Sequence, residues 1–140
     1  MSVNNHNAVL DAIKDSLEAA LPDRYVQRSL ADPANTPRAQ LVAGLVCVVN
    51  GGGGGFANYR GREGDLGHMN TTLVCFLQVG ESTTPADIER AELDMLGDLL
   101  GWINTTAVPG LDVIYPGDWT QSKQLEHPYG WLALTLEVRT

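Results

Sequence analysis

The 140-residue sequence predicts one α+β domain, a mixed and mostly antiparallel sheet of four to five strands with two main helices packed on one face. Three observations predict it. Two segments carry apolar residues at helical spacing, and several others carry the composition or the period-two alternation of strands. Strands also follow one another directly, in the order helix, short strand, two long strands, helix, then two or three strands. The length suits one core, large enough to bury about two-thirds of the unfolded surface, and no internal repeat or sustained heptad pattern divides the chain.

From Asn5 to Leu21, Leu10, Ile13, Leu17 and Leu21 recur at steps of three and four while Asp11, Lys14, Asp15 and Glu18 point elsewhere, which predicts an amphipathic helix ended by Pro22. Tyr25 to Leu30 reads as a short strand, and Ala31 to Arg38, with two prolines, as a connecting loop. Leu41 to Val49 is nearly continuous in apolar residues, as expected of a strand covered on both faces. Asn70 to Val79 has the same character and is expected to be its central partner. The roughly twenty residues between them form a long glycine-rich loop at about 50–70, far beyond an ordinary hairpin connection.

The second main helix is announced by Thr84 as N-cap, Pro85 at the first helical position and Asp87 and Glu89 in the first turn. Ile88, Ala91, Met95, Leu96, Leu99, Trp102 and Ile103 supply one wide apolar face, and Glu92, Asp94 and Asp98 are expected on the solvated side. Gly97 and Gly101, four apart, suggest a close backbone approach. Leu111 to Tyr115 reads as a strand and Thr120 to Leu125 as a further extended piece. The plainest strand is Trp131 to Arg139, where Leu132, Leu134, Leu136 and Val138 alternate with the other face, after a His127–Gly130 turn.

Seventeen acidic against nine basic residues give a net charge of −8, which opposes a nucleic-acid-gripping surface. Cys47 and Cys75 lie inside apolar runs and are expected as buried, reduced thiols suited to a reducing cytoplasm. No run is long enough to span a bilayer, and the amino-terminal segment lacks the basic and continuous apolar parts of a secretory signal, so no membrane partner is expected.

No catalytic, cofactor-binding or metal-binding set emerges. The glycine run lacks the Gly-Lys-Ser/Thr ending and the following helix of a phosphate-binding loop. His6, His68 and His127 share no ligand spacing, and no Gly-x-Ser-x-Gly elbow or polar-set cysteine offers a nucleophile. What the loop does hold is Phe56, Asn58, Tyr59, Arg60 and Arg62. Aromatic and Arg side chains are the types enriched at binding hot spots, and positive charge in an acidic protein suits an acidic neighbour, such as another copy of the chain.

The opening AVLDAIKDSLEAALPDR, the two central strands flanking a long polar loop, STTPADIERAELDMLGDLLGWI and the closing QLEHPYGWLALTLEVRT together resemble the tail terminator, or tail completion, proteins of long-tailed bacteriophages, the minor tail protein U type. The likeness covers most of the chain. It implies a structural virion protein, not an enzyme, assembled in the host cytoplasm into a homo-oligomeric ring of six. That ring would cap the tail tube protein at final tail length and face a head–tail connector protein, with DNA passing through the lumen unbound. It also implies that Phe56, Asn58, Tyr59, Arg60 and Arg62 contact the next subunit or the tube. Two other functions remain open: a tail tube or head–tail adaptor subunit, and a small module binding an anionic ligand with the glycine loop.

Overall fold

In a computed structural model, which describes residues 5–56 and 66–140, α1 (His6–Ala20) starts at Asn5, whose side-chain oxygen accepts the Ala8 N–H at 2.8 Å. That contact satisfies one of the donors a helix start leaves unpaired. Val9, Leu10, Ala12, Ile13 and Leu17 form its buried stripe, and the Lys14–Glu18 ion pair, 2.8 Å, lies outside it. The short strand β1 (Tyr25–Gln27) follows, then a single 3₁₀ turn (Pro33–Asn35) held by Asp32, and a short helix α2 (Arg38–Ala43).

Helix α2 corrects the expectation of a strand beginning at Leu41. A continuous apolar run fits a buried helix as well as a strand, and here Pro37 opens a helical turn that Gly44 closes at φ +96, a backbone angle that favours glycine. Strand β2 then runs from Leu45 to Gly55 and β3 from His68 to Gln78. Helix α3 (Pro85–Thr105) carries the capping box its sequence announces: the Thr84 N–H donates to Asp87 Oδ2 at 2.9 Å, which holds the Asp87 carboxyl below its usual range. The two extended pieces expected at 111–125 are one strand, β4 (Val113–Gln121), and β5 spans Tyr129–Arg139.

These strands make one five-stranded sheet in the order β1-β2-β3-β5-β4, parallel between β1 and β2 and antiparallel elsewhere. The domain is therefore α+β, with a mixed sheet and two main helices. Alternation selects the faces. Met69, Leu73, Cys75 and Leu77 of β3, Val46 and Val48 of β2, and Leu132, Leu134, Leu136 and Val138 of β5 all point to the side where α1 and α3 pack, and form one core with them.

The two helices also meet directly, through a Trp102 Nε1–H···Ser16 Oγ bond of 2.9 Å. Leu41, Leu45 and Cys47 are buried outside that core. The register turns Leu45 and Cys47 to the opposite face, where α2 and the segment before it lie against β2 and β3. Arg24 ties three elements together, donating to Ala43 O at 3.0 Å and to Asp98 at 2.7 Å. Both cysteines are free and buried, and burial pushes both thiols above their ordinary value. Gly97 and Gly101 have open space around them, so no close approach explains them.

Candidate functional site

The glycine run is mostly strand. Gly53, Gly54 and Gly55 pair with Asn70, Met69 and His68, so β2 runs on past its last β1 partner at Cys47 as an arm laid along β3, which β5 holds on its other side. The expected 50–70 loop is thus strand at both its ends, to Gly55 and from His68, and 57–65 lie outside the described residues. Within the arm, the register slips between Asn50 and Gly53, and Gly52 stands at φ +93 with its N–H donated to Asn50 Oδ1 at 3.0 Å. This is a glycine-dependent bulge. A Cβ on Gly54 would overlap the His68 carbonyl oxygen, so the absent side chain lets the two backbones close together. Sequence patterning hides such a strand because glycine has low strand propensity. Its ladder is specified by β3.

Of the five candidate contact residues, Phe56 sits at the end of β2 and is 63% exposed. Asn58, Tyr59, Arg60 and Arg62 lie outside the described residues. The chain just before β3 is anchored: His6 Nε2–H donates to Leu66 O at 3.1 Å, and the Leu66 N–H donates to Thr140 Oγ1 at 3.2 Å. His6 and His68 line one groove with Phe56 and the arm glycines, although they are 62 positions apart in the chain. His127 is elsewhere, paired with Thr83 Oγ1 at 3.1 Å. Among the described residues, no group of three His, Cys, Asp or Glu is placed to hold a metal ion.

A second exposed surface lies at the sheet edge. Strand β4 is the last in the order, so one side of its backbone has no strand partner among the described residues, and most of its residues are exposed, Tyr115 and Trp119 among them. Pro116 and a register irregularity between Pro116 and Trp119 interrupt it, which is how natural edges resist indiscriminate pairing.

Sequence reasoning misplaced one residue. Glu92, expected on the solvated side of α3, is fully buried. Its carboxylate accepts the Ser122 hydroxyl at 2.5 Å, the Trp131 N–H at 3.0 Å and the Gln121 side-chain amide at 3.2 Å. A buried carboxyl group is tolerable only when its oxygens are satisfied in this way. Its position was readable: Glu92 lies four after Ile88 and three before Met95, on the stripe those residues define. What spacing could not supply were the three donors, 29 to 39 positions away. The other two carboxylates expected on the solvated side of α3, Asp94 and Asp98, are exposed.

No helix among the described residues is long and apolar enough to cross a membrane. The chain matches no known protein family, and no curated protein matches it either.

Proposed function

We propose that the chain is a structural virion protein that closes the head-proximal end of a long phage tail tube by forming a ring of six, ending tail polymerisation and helping to join tail to head. The likeness of the sequence to tail terminator proteins motivates the reading, and one observation carries it: a single sheet offers two different contact surfaces, the β2–β3 arm with exposed Phe56 and the β4 edge with exposed Tyr115 and Trp119. A closed ring needs this. Each subunit must present one patch to a different patch on the next copy, under a rotation that closes.

The net charge of −8 suits a lumen through which DNA slides without adhering. The partners are then other copies of the chain, a tail tube protein and a head–tail connector protein.

Light scattering coupled to size exclusion, across a concentration series, tests the ring. The expected result is a discrete oligomer of fixed mass, with rings in electron micrographs. Open-ended growth into tubes would assign the chain to the tube instead, and a monomer at every concentration, with no rings on added tail tubes, would overturn both. A Phe56→Ala, Tyr59→Ala double variant should keep the thermal midpoint of the monomer while raising the half-assembly concentration at least about tenfold, the loss usual for aromatic contacts of about 2 kcal/mol. Unchanged assembly would remove the arm from the mechanism.

A further inference from the structure

At the end of the sheet opposite the arm lies a cleft that the ring reading does not use. Phe76 and Trp131 are paired across β3 and β5, and Gln78 is paired with Tyr129, so the three aromatic residues share the face away from α1 and α3. With Gly130 they form the floor and wall of the cleft, the 3₁₀ turn Pro33–Asn35 forms its lip, and Asp32 and Glu126 bring two carboxylates to it.

Both carboxylates are solvent-exposed, and neither is ion-paired with a described cation. Each keeps acceptor capacity. Asp32 takes the Ala34 N–H and the Asn35 amide, one on each oxygen, at 3.0 and 2.9 Å. Glu126 Oε1 takes the Trp131 indole N–H at 3.4 Å, which leaves Oε2 for another donor. A carboxylate offers about four lone-pair sites, so each can still accept from a cation in the cleft they both line.

The floor is also fixed in place. Gly130 and the Trp131 backbone are held from the core side by Glu92, which accepts the Trp131 N–H, and a Cβ at position 130 would overlap Glu92 Oε2 and Ile88. A cleft with a rigid backbone loses little freedom on binding.

We propose that this cleft binds an arginine side chain presented by a partner protein. Charge complementarity selects a cation, since the cleft carries two carboxylates in a chain of net charge −8. The aromatic lining selects arginine over lysine: a guanidinium is planar, stacks on aromatic faces and donates in a fork that two acceptors can share, whereas an ammonium is a compact, strongly hydrated charge. The proposal does not depend on ring formation, because the cleft is complete within one chain.

The test follows the indole N–H resonances of the three tryptophans in solution, with Trp131 assigned from a Trp131→Phe variant, as the tripeptide acetyl-Gly-Arg-Gly-amide is added. The same peptide with citrulline, a neutral isostere, and with lysine are the comparisons. The expected result is a saturable shift of the Trp131 indole and the Gly130 amide at millimolar peptide, weaker with lysine and at least about tenfold weaker with citrulline. Asp32→Asn with Glu126→Gln should weaken the arginine peptide by roughly three- to tenfold at an unchanged thermal midpoint. Glu126→Gln alone, on an exposed turn, gives the same test if the double variant is unstable.

Equal shifts with citrulline would overturn the proposal, as would no saturable shift up to about 20 mM peptide. So would a Trp131 resonance that follows the concentration of the chain itself and ignores the peptide, since the occupant would then be a second copy.

Discussion

At the Gly130 end of the sheet, neighbouring strands are held by a buried side chain, while at the Gly55 end they are held by the absence of side chains. Glu92 reaches from α3 and gathers Ser122, Gln121 and the Trp131 backbone onto one carboxylate, so the helix, β4, β5 and the turn between them are fixed as a unit. The arm has no such side-chain tie: Gly53 to Gly55 meet His68 to Asn70 by backbone alone, on a stretch of β2 with no second strand beside it among the described residues, while Met69 of β3 faces the core. The difference teaches where a defect travels. Damage at the pinned end reaches the core, whereas damage in the arm stays local, because stability in a folded chain is distributed among units that open separately.

Three substitutions sharpen the contrast. Glu92→Ala should cost most, about 4 kcal/mol, because it leaves a buried hydroxyl and a partly buried N–H unpaired and opens a cavity beside Ile88. Urea unfolding should show the loss globally, and a change under about 1 kcal/mol would mean that the carboxylate does not pin the strands.

Gly54→Ala comes next. Its Cβ would press on the His68 carbonyl, a backbone atom that cannot swing aside, at a cost of about 2 kcal/mol confined to the arm. Native-state hydrogen exchange should quicken at 53–55 and their partners 68–70 and leave the amides at 129–132, at the pinned end of β5, unchanged; equal acceleration there would erase the distinction between the two ends.

The smallest effect has the opposite sign. Gly97→Ala, in the interior of α3 with open space around it, should stabilise the protein by about 0.5–1 kcal/mol through helix propensity and a less flexible unfolded chain. A drop in thermal midpoint would contradict the open space around position 97.

How much of this could be read beforehand depended on whether the signal was local. The start of α3 was legible at Thr84, Pro85 and Asp87 because a capping box is made within four residues. Strand β5 was legible because its alternation between Leu132 and Val138 records one covered and one less covered face.

Elsewhere a local signal existed and was outweighed. Pro37 and Gly44 bracket α2, yet the apolar run through them favoured a strand. For Glu92, charge suggested solvent while spacing pointed inward. The remainder was not local at all. Glycine carries no pattern, so the strand at 53–55 takes its identity from β3, and the aromatic cleft joins a turn near residue 33 to strands near 76 and 131. Of the candidate contact residues, Phe56, expected within the loop, stands exposed at the end of β2.

One aspect of the strand order bears on how the chain reaches this shape. β2 with β3, and β4 with β5, are neighbours along the chain, but the seam between β3 and β5, from His68↔Arg139 to Gln78↔Tyr129, closes the middle of the sheet across fifty or more intervening residues. Pairing at such separation carries a loop-closure cost that its contacts repay only late, which slows folding. Until β5 has emerged from the ribosome, β3 carries a bare flank rich in Leu, Val and Phe, the kind of edge that recruits the wrong strand. A newly made chain is therefore most vulnerable to aggregation before β5 arrives, and its yield in cells should respond to chaperone supply more than to changes in the arm.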